Sequence, residues 1–557
     1  MVTRTDKALY AALFAILLWL VVYPNAFILV RSFFPAKQFT LANYQNFFGS
    51  EAQMEALWNS LIISAASVLL SALIGIPLAF LFYYFDFPGK KVFAALASLP
   101  VLLPPLVGVI SFLFLYGESG VVTRSLLAAL QRKEPLFQFR GMTAILFIHA
   151  YTMYVYFYLL VSAGLKRLDF TMAEAARSLG ASGTRTLLRV VLPQLTPALT
   201  AASLLTFMTS MASFSAPYIF GGGIRVLALQ IYNSKLNGDL DMAMVETVIL
   251  TMTSVLFLSA LQFFEGKGRF RSLNKGAARP ATRITSPATR ILAGTSGIVF
   301  VILLLLPHLT LLLIGLTRDG TWTTQILPPA YTMENYHRLI SSSQFLEPII
   351  NSLQMAILAT TANFVFAMLA GYLLVRKRIR GGWLLSALIL LPWALPGTVL
   401  ALSLASTFSQ NDPLRGRILL VGTYWILPLA YFIRNIPVVV RAVQSSFEQF
   451  DISLEEAARS LGGKWLYTMR RIVLPLVLPG ALAGSLLAFV AALGEFVTSI
   501  VIYTIDNRPI SIEILAQLRQ FNFGTAAAYG TLLVGLIALT FLLSERYLSE
   551  ASIRGTG

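Results

Sequence analysis

Long apolar runs separated by short polar segments dominate the chain. A helix that crosses about 30 Å of hydrocarbon needs about 20 mostly apolar residues. Twelve stretches reach that length: 8–32, 57–84, 92–116, 142–165, 198–220 and 243–264, then 291–316, 348–375, 383–408, 418–442, 480–503 and 526–544. The runs are continuous rather than alternating, which excludes a β-barrel. The first, from Leu9 to Val30, is too long for a cleaved leader and has no small-residue cleavage site after it. The pattern predicts an all-α integral membrane protein of about twelve spans.

Composition agrees with this. Apolar residues make up 57% and charged residues 12%, against roughly 45–50% and 25% in soluble domains. Such a chain cannot cover a water-facing surface with polar groups. A soluble enzyme, a disordered chain and a nucleic-acid-binding protein are therefore excluded, despite a net charge of +17. The excess base lies beside the spans: Arg4 and Lys7, Lys90 and Lys91, Lys166 to Arg189, Lys267 to Arg290, Arg376 to Arg380, and Arg459 to Arg471. All fall on one side if both termini are cytoplasmic. There is no cysteine, so disulfide and thiolate chemistry are excluded.

The chain repeats itself. Glu174-Ala175-Ala176-Arg177-Ser178-Leu179-Gly180 recurs 282 residues later as Glu456-Ala457-Ala458-Arg459-Ser460-Leu461-Gly462. At that offset Arg189 matches Arg471, Leu192-Pro193 matches Leu474-Pro475, and Pro197 matches Pro479. Upstream the offset is 292, where Asn59-Ser60-Leu61 matches Asn351-Ser352-Leu353 and Pro104 matches Pro396. The matches keep their order, so the halves are parallel repeats of six spans each.

The repeated motif falls in the same loop of each half. Glu-Ala-Ala-Arg-Ser-Leu is a short helix by propensity, in which Glu174 and Arg177 are spaced to pair, as are Glu456 and Arg459. The alanines leave a shallow surface for another protein. Gly180 and Gly462 allow a sharp turn, and a basic helical stretch then leads back to the membrane.

This pair of loops resembles the Glu-Ala-Ala loop of binding-protein-dependent ABC importer permeases, in which it forms a coupling helix docked into a groove of a cytoplasmic ATPase. Each half resembles one complete permease subunit, and a fused pair is similar to the iron(III), thiamine and aminoethylphosphonate permeases. The resemblance implies a type I importer fold: a first repeat over 1–271 with its loop at 167–197, a basic cytoplasmic linker over 272–290, and a second repeat over 291–557 with its loop at 449–479. It implies that Glu174, Ala175, Ala176 and Gly180 contact one ATPase copy, and that Glu456, Ala457, Ala458 and Gly462 contact a second. It also implies cargo delivered by a periplasmic or lipid-anchored solute-binding protein, and a multi-pass location in a bacterial inner membrane. No phosphate-binding loop occurs, so ATP hydrolysis is assigned to the partner. Neither cofactor nor catalytic dyad is expected, and no nucleic acid.

Charges at membrane depth are functional candidates by default. Glu495 is the clearest, with Ser213 at the matching position of the first half; it is expected to bond a neighbouring helix, with a place on the pathway as the alternative. Arg434 is expected to snorkel toward the cytoplasm or to bond helix C-terminal carbonyls. His149 and His308 are expected to be packing residues rather than metal ligands. Pro104 and Pro396 interrupt apolar helices, so the third and ninth spans are expected to bend beside a pathway. The leading reading is an ATP-driven importer permease, with ferric iron as the favoured cargo. Thiamine, phosphonate or polyamine permeases and an ion-coupled secondary transporter are the alternatives.

Overall fold

A computed structural model describes residues 3–132, 134–135, 137–168, 170–267, 282–322, 325–409, 419–449 and 451–554. The chain is almost wholly helical. In the first half the principal helices are α1 (Arg4–Phe33), α2 (Glu51–Tyr84), α3 (Pro105–Tyr116), α4 (Gly141–Arg167), α5 (Thr171–Ser178), α6 (Thr196–Met211), α7 (Ser215–Phe220), α8 (Leu227–Leu236) and α9 (Leu240–Lys267). In the second they are α10 (Pro287–Gly315), α11 (Ser343–Gly371), α12 (Gly382–Ala394), α13 (Gly397–Thr407), α14 (Ile426–Gln449), α15 (Ser453–Ser460), α16 (Leu474–Leu493), α17 (Val497–Ile502), α18 (Ile510–Arg519) and α19 (Phe523–Arg554). Among the described residues, 10 helices are long and apolar enough to cross a membrane. Counting the two bent pairs raises this to 12.

The helices break where the sequence pattern ran on. The apolar run 198–220 is α6, a break at 212–214, then α7; the run 480–503 is α16, a break at 494–496, then α17. The run 92–116 holds a short helix, Lys90–Leu96, and a tight turn at Leu99–Leu102 before α3 starts at Pro105. In the ninth span α12 and α13 meet at 106° around Pro396. Proline lacks the N–H that would continue a helix, and it disfavours helical geometry in the residue before it. Two buried helices, α8 and α18, were absent from the apolar reading because their polar residues dilute the signal. Of the linker expected over 272–290, residues 272–281 lie outside the described residues. Thr282–Arg283 pairs in parallel with Phe85–Asp86, and α10 already begins at Pro287.

The halves exchange their first spans. Helix α1 packs on α9 of its own half and α13 of the other, while α10 packs on α19 of its own half and α3 of the other. Polar ties fix the exchange. Lys377 Nζ lies 3.0 Å from the Asp6 carboxylate, and the Tyr10 hydroxyl donates to the Gly381 carbonyl at 3.0 Å. Tyr151 donates in the same way to the Leu304 carbonyl of α10, at 2.7 Å.

Within the first half, α2 carries a stripe of small buried residues, Ala56, Ser60, Ser64, Ser67, Ser71, Gly75 and Ala79, and meets α4 at Ser67, Gly75 and Ala79. Lipid offers no hydrophobic drive for helix pairing, so close backbone approach through small residues takes its place. A Cβ on Gly75 would sit 2.4 Å from the Tyr154 carbonyl oxygen and 2.6 Å from Phe157 Cβ. Gly75→Val is expected to force α2 from α4 and to cost about 1–3 kcal/mol, read as a lower thermal unfolding temperature of the purified protein. Gly535→Val in α19, where a Cβ meets open space, is expected to lose far less.

Candidate functional site

Two regions bring the candidate residues together: a pair of loop helices and the paired breaks between the halves. In the loops, α5 and α15 are matching two-turn helices. Asp451 accepts the Ser453 N–H at 2.9 Å and caps α15. That bond, with the Ser453 hydroxyl, holds the Asp451 carboxyl below its ordinary range. Each helix then turns at a glycine with φ of +82°. After the turn Ala181 N–H bonds the Ala176 carbonyl at 3.0 Å, and Gly463 N–H bonds the Ala458 carbonyl at 2.9 Å. Nothing lies within 4 Å of a Cβ built on Gly180 or Gly462. Glycine is needed there for the left-handed backbone, not to avoid a neighbour.

The turn leaves Leu179 and Leu461 each 89% exposed. Glu174, Ala175, Glu456 and Ala457 are exposed beside them, while Ala176 is half-buried and Ala458 buried. Two isolated apolar tips at equivalent places form matched knobs. The sequence reading passed over these leucines, although an apolar residue ending a polar helix, kept in both copies, was the available signal. Glu174 and Arg177 stand apart as exposed charges rather than paired. An exposed ion pair of this kind is worth only about 0–1 kcal/mol, too little to fix two long side chains.

The helices are anchored differently. Under α5, Ala173 is buried and Phe170 stacks on Tyr83 at 5.7 Å between ring centres. Under α15 the position matching Ala173 is Glu455, whose carboxylate meets Arg376 Nε at 3.1 Å with both side chains under a tenth exposed.

At the breaks, Phe214 and Phe496 meet edge-on across the halves, with ring centres 5.9 Å apart. A Cβ on Gly494 would lie 3.1 Å from Pro104 Cβ. Glu495, between Gly494 and Phe496, therefore sits at the seam between the halves. Its Oε1 accepts the Thr498 N–H at 2.8 Å, and its Oε2 meets Arg434 Nε at 2.9 Å. Arg434 reaches along the membrane to this carboxylate instead of snorkelling to the surface. Its guanidinium also packs on Gly397, next to Pro396. Pro104 and Pro396 thus both border the break that holds Glu495. Ser213 is held apart, bonded to His149 Nε2 at 2.8 Å. The other nitrogen of this buried ring meets Ser67 at 2.9 Å and Ser210 at 3.2 Å, which makes His149 a fully partnered packing residue. His308 bonds its own helix at the Leu304 carbonyl, at 3.2 Å.

The model of the binding-protein-dependent transport system inner membrane component family matches residues 71–265 and again 363–550. The chain belongs to this family. Each match contains one loop helix and one seam break, and each leaves out the exchanged first span. A probable ABC transporter permease protein, y4fN, of Sinorhizobium fredii is 32% identical over 88% of this chain and 87% of its own length. The ferric transport system permease protein FbpB of Actinobacillus pleuropneumoniae is 27% identical over 98% of this chain and 79% of its own. The sulfate transport system permease protein CysT of Salmonella typhimurium is 33% identical over 46% of this chain and 90% of its own. One half of this permease thus answers to one whole unfused relative.

The anchor under α15 can be tested in the permease. Glu455→Gln removes the charge facing Arg376, and breaking a buried ion pair costs about 3–5 kcal/mol before solvent screening. Amide hydrogen exchange over 453–460 is expected to rise roughly tenfold or more, the equivalent of about 1.4 kcal/mol, while exchange over 171–178 stays unchanged.

Proposed function

We propose that this permease carries ferric iron from an external solute-binding protein to the cytoplasm by alternating access, with two ATPase copies gripping α5 and α15. The observation that carries the proposal is the matched pair of knobs, Leu179 with Gly180 and Leu461 with Gly462. Glu174, Ala175 and Ala176 flank one knob; Glu456, Ala457 and Ala458 flank the other. A helix held by its anchor and its glycine turn moves as a unit. An ATPase that grips it differently in its nucleotide states biases the bundle between inward-facing and outward-facing arrangements. The basic residues beside the spans support both termini, the linker and the knobs lying on the cytoplasmic face of a bacterial inner membrane.

Ferric iron is favoured because relatives named for ferric transport align over nearly the whole duplicated chain. Sulfate, the cargo in the name of the half-length relatives, is the second reading. Energy from a bound ATPase replaces the ion gradient of the secondary-transporter reading.

In proteoliposomes holding the permease with its ATPase and binding protein, Gly180→Phe and Gly462→Phe are expected to leave the protein inserted. Each side chain meets a left-handed backbone costing about 1–2 kcal/mol. Uptake of labelled ferric iron should fall at least tenfold while ATP is still hydrolysed. Normal uptake by both variants contradicts the docking role. Uptake of labelled sulfate, but not of ferric iron, by the unaltered complex contradicts the cargo.

A further inference from the structure

The Arg434–Glu495 pair has no charged counterpart in the first half, where the matching residues are Thr152 and Ser213. The two partners are not equally enclosed. The Glu495 side chain is 9% exposed and has both oxygens engaged, whereas the Arg434 side chain is 31% exposed. Glu495 is the only ionic or hydrogen-bonding partner of Arg434 among the described residues. The ion pair uses Nε, which leaves the Nη edge of a group with five N–H donors.

That edge lies at a place with other idle donors. Arg434 Nη1 is 2.9 Å from where a Cβ of Gly397 would stand. Gly397 opens α13, an 11-residue helix whose first N–H groups have no acceptor within it. The Thr498 hydroxyl lies 3.2 Å from the same point, is fully buried, and has no partner among the described residues. The Thr398 hydroxyl, one residue into α13, is also buried without a partner among the described residues. Arg434 is eight residues into α14, roughly 12 Å along it at 1.5 Å per residue. A guanidinium at such depth faces protein or a water-filled space, not lipid. The residues on either side of Glu495 touch the first half, Gly494 at Pro104 and Phe496 at Phe214.

We propose that the free edge of Arg434, the N-terminus of α13 at Gly397 and Thr398, and the Thr498 hydroxyl form a site for an oxyanion passing between the halves. Glu495 is its positioning residue: it holds the guanidinium by Nε and turns the fork outward. Both Glu495 oxygens are engaged, so the groups left over are N–H and O–H donors, which suit anionic oxygens rather than a bare cation. The oxygens come either from an anionic cargo or from an anion that travels as a ligand of ferric iron. The inference rests on the permease reading but not on the assignment of ferric iron.

The test is calorimetric titration of the purified permease in nanodiscs with sodium sulfate and with ferric citrate, at constant ionic strength in chloride. Saturable binding of at least one is expected. Arg434→Lys, which keeps the charge but not the planar fork, should bind at least tenfold more weakly. Arg434→Gln with Glu495→Gln should abolish binding while keeping a neutral pair at the break, with monodisperse elution as the check on folding. Sulfate binding identifies an anionic cargo; binding of ferric citrate alone identifies an accompanying anion. No saturable binding to the unaltered permease, or affinity unchanged in both variants, overturns the site. Neither result touches ATPase coupling, which the Gly180 and Gly462 variants report separately.

Discussion

Every main-chain polar group within hydrocarbon must find its partner inside the protein. This permease breaks its helices inside its apolar runs, and at two of these breaks side chains supply main-chain bonds. Tyr154 and Tyr158 of α4 donate to the Ala97 and Ala94 carbonyls at the first break, at 2.7 and 2.8 Å. Ser499 and Ser511 donate to the Glu495 carbonyl at 2.9 and 2.8 Å. These breaks therefore lie against neighbouring helices, and the second lies at the seam between the halves.

The duplicated halves meet the same mechanical demands with different chemistry. The fourth span is tied to the break in the fifth by His149 and Ser213, a neutral pair, while the tenth is tied to the eleventh by Arg434 and Glu495. The first loop helix rests on aromatic rings and the second on Arg376 and Glu455. A buried ion pair repays its desolvation poorly, so charge at these places is a weak source of stability. It makes the two breaks, and the two loop helices, chemically inequivalent. A fused chain can hold such a difference in a fixed arrangement.

Much of this was legible in the sequence. Span length, basic flanks and the repeated Glu-Ala-Ala loop gave the membrane class, the duplication and the helix–turn–helix of each loop, because each depends on local composition. Pro104 and Pro396 announced bends. The breaks at 212–214 and 494–496 were not legible, since Ser213 and Glu495 sit in runs whose mean apolarity hides a change of direction. Nor was the partner of Glu495, because Arg434 is distant in sequence and an intramembrane arginine reads equally as a snorkelling one. The polar, buried helices α8 and α18 were missed for the related reason that their burial comes from other helices, not from their own composition.

Each half presents one knob, a leucine left exposed beside a left-handed glycine, and the proposed coupling depends on this pair. The chain has no cysteine, so a thiol introduced at one knob is the only one this chain offers. The most direct measurement is therefore site-directed cross-linking in the assembled complex, with Leu179→Cys and Leu461→Cys made separately and treated with a short bifunctional reagent. Each variant is predicted to join covalently to an ATPase subunit, with a yield that changes between ATP-bound and nucleotide-free states. If neither position cross-links to an ATPase in either state, these helices do not couple nucleotide hydrolysis to transport.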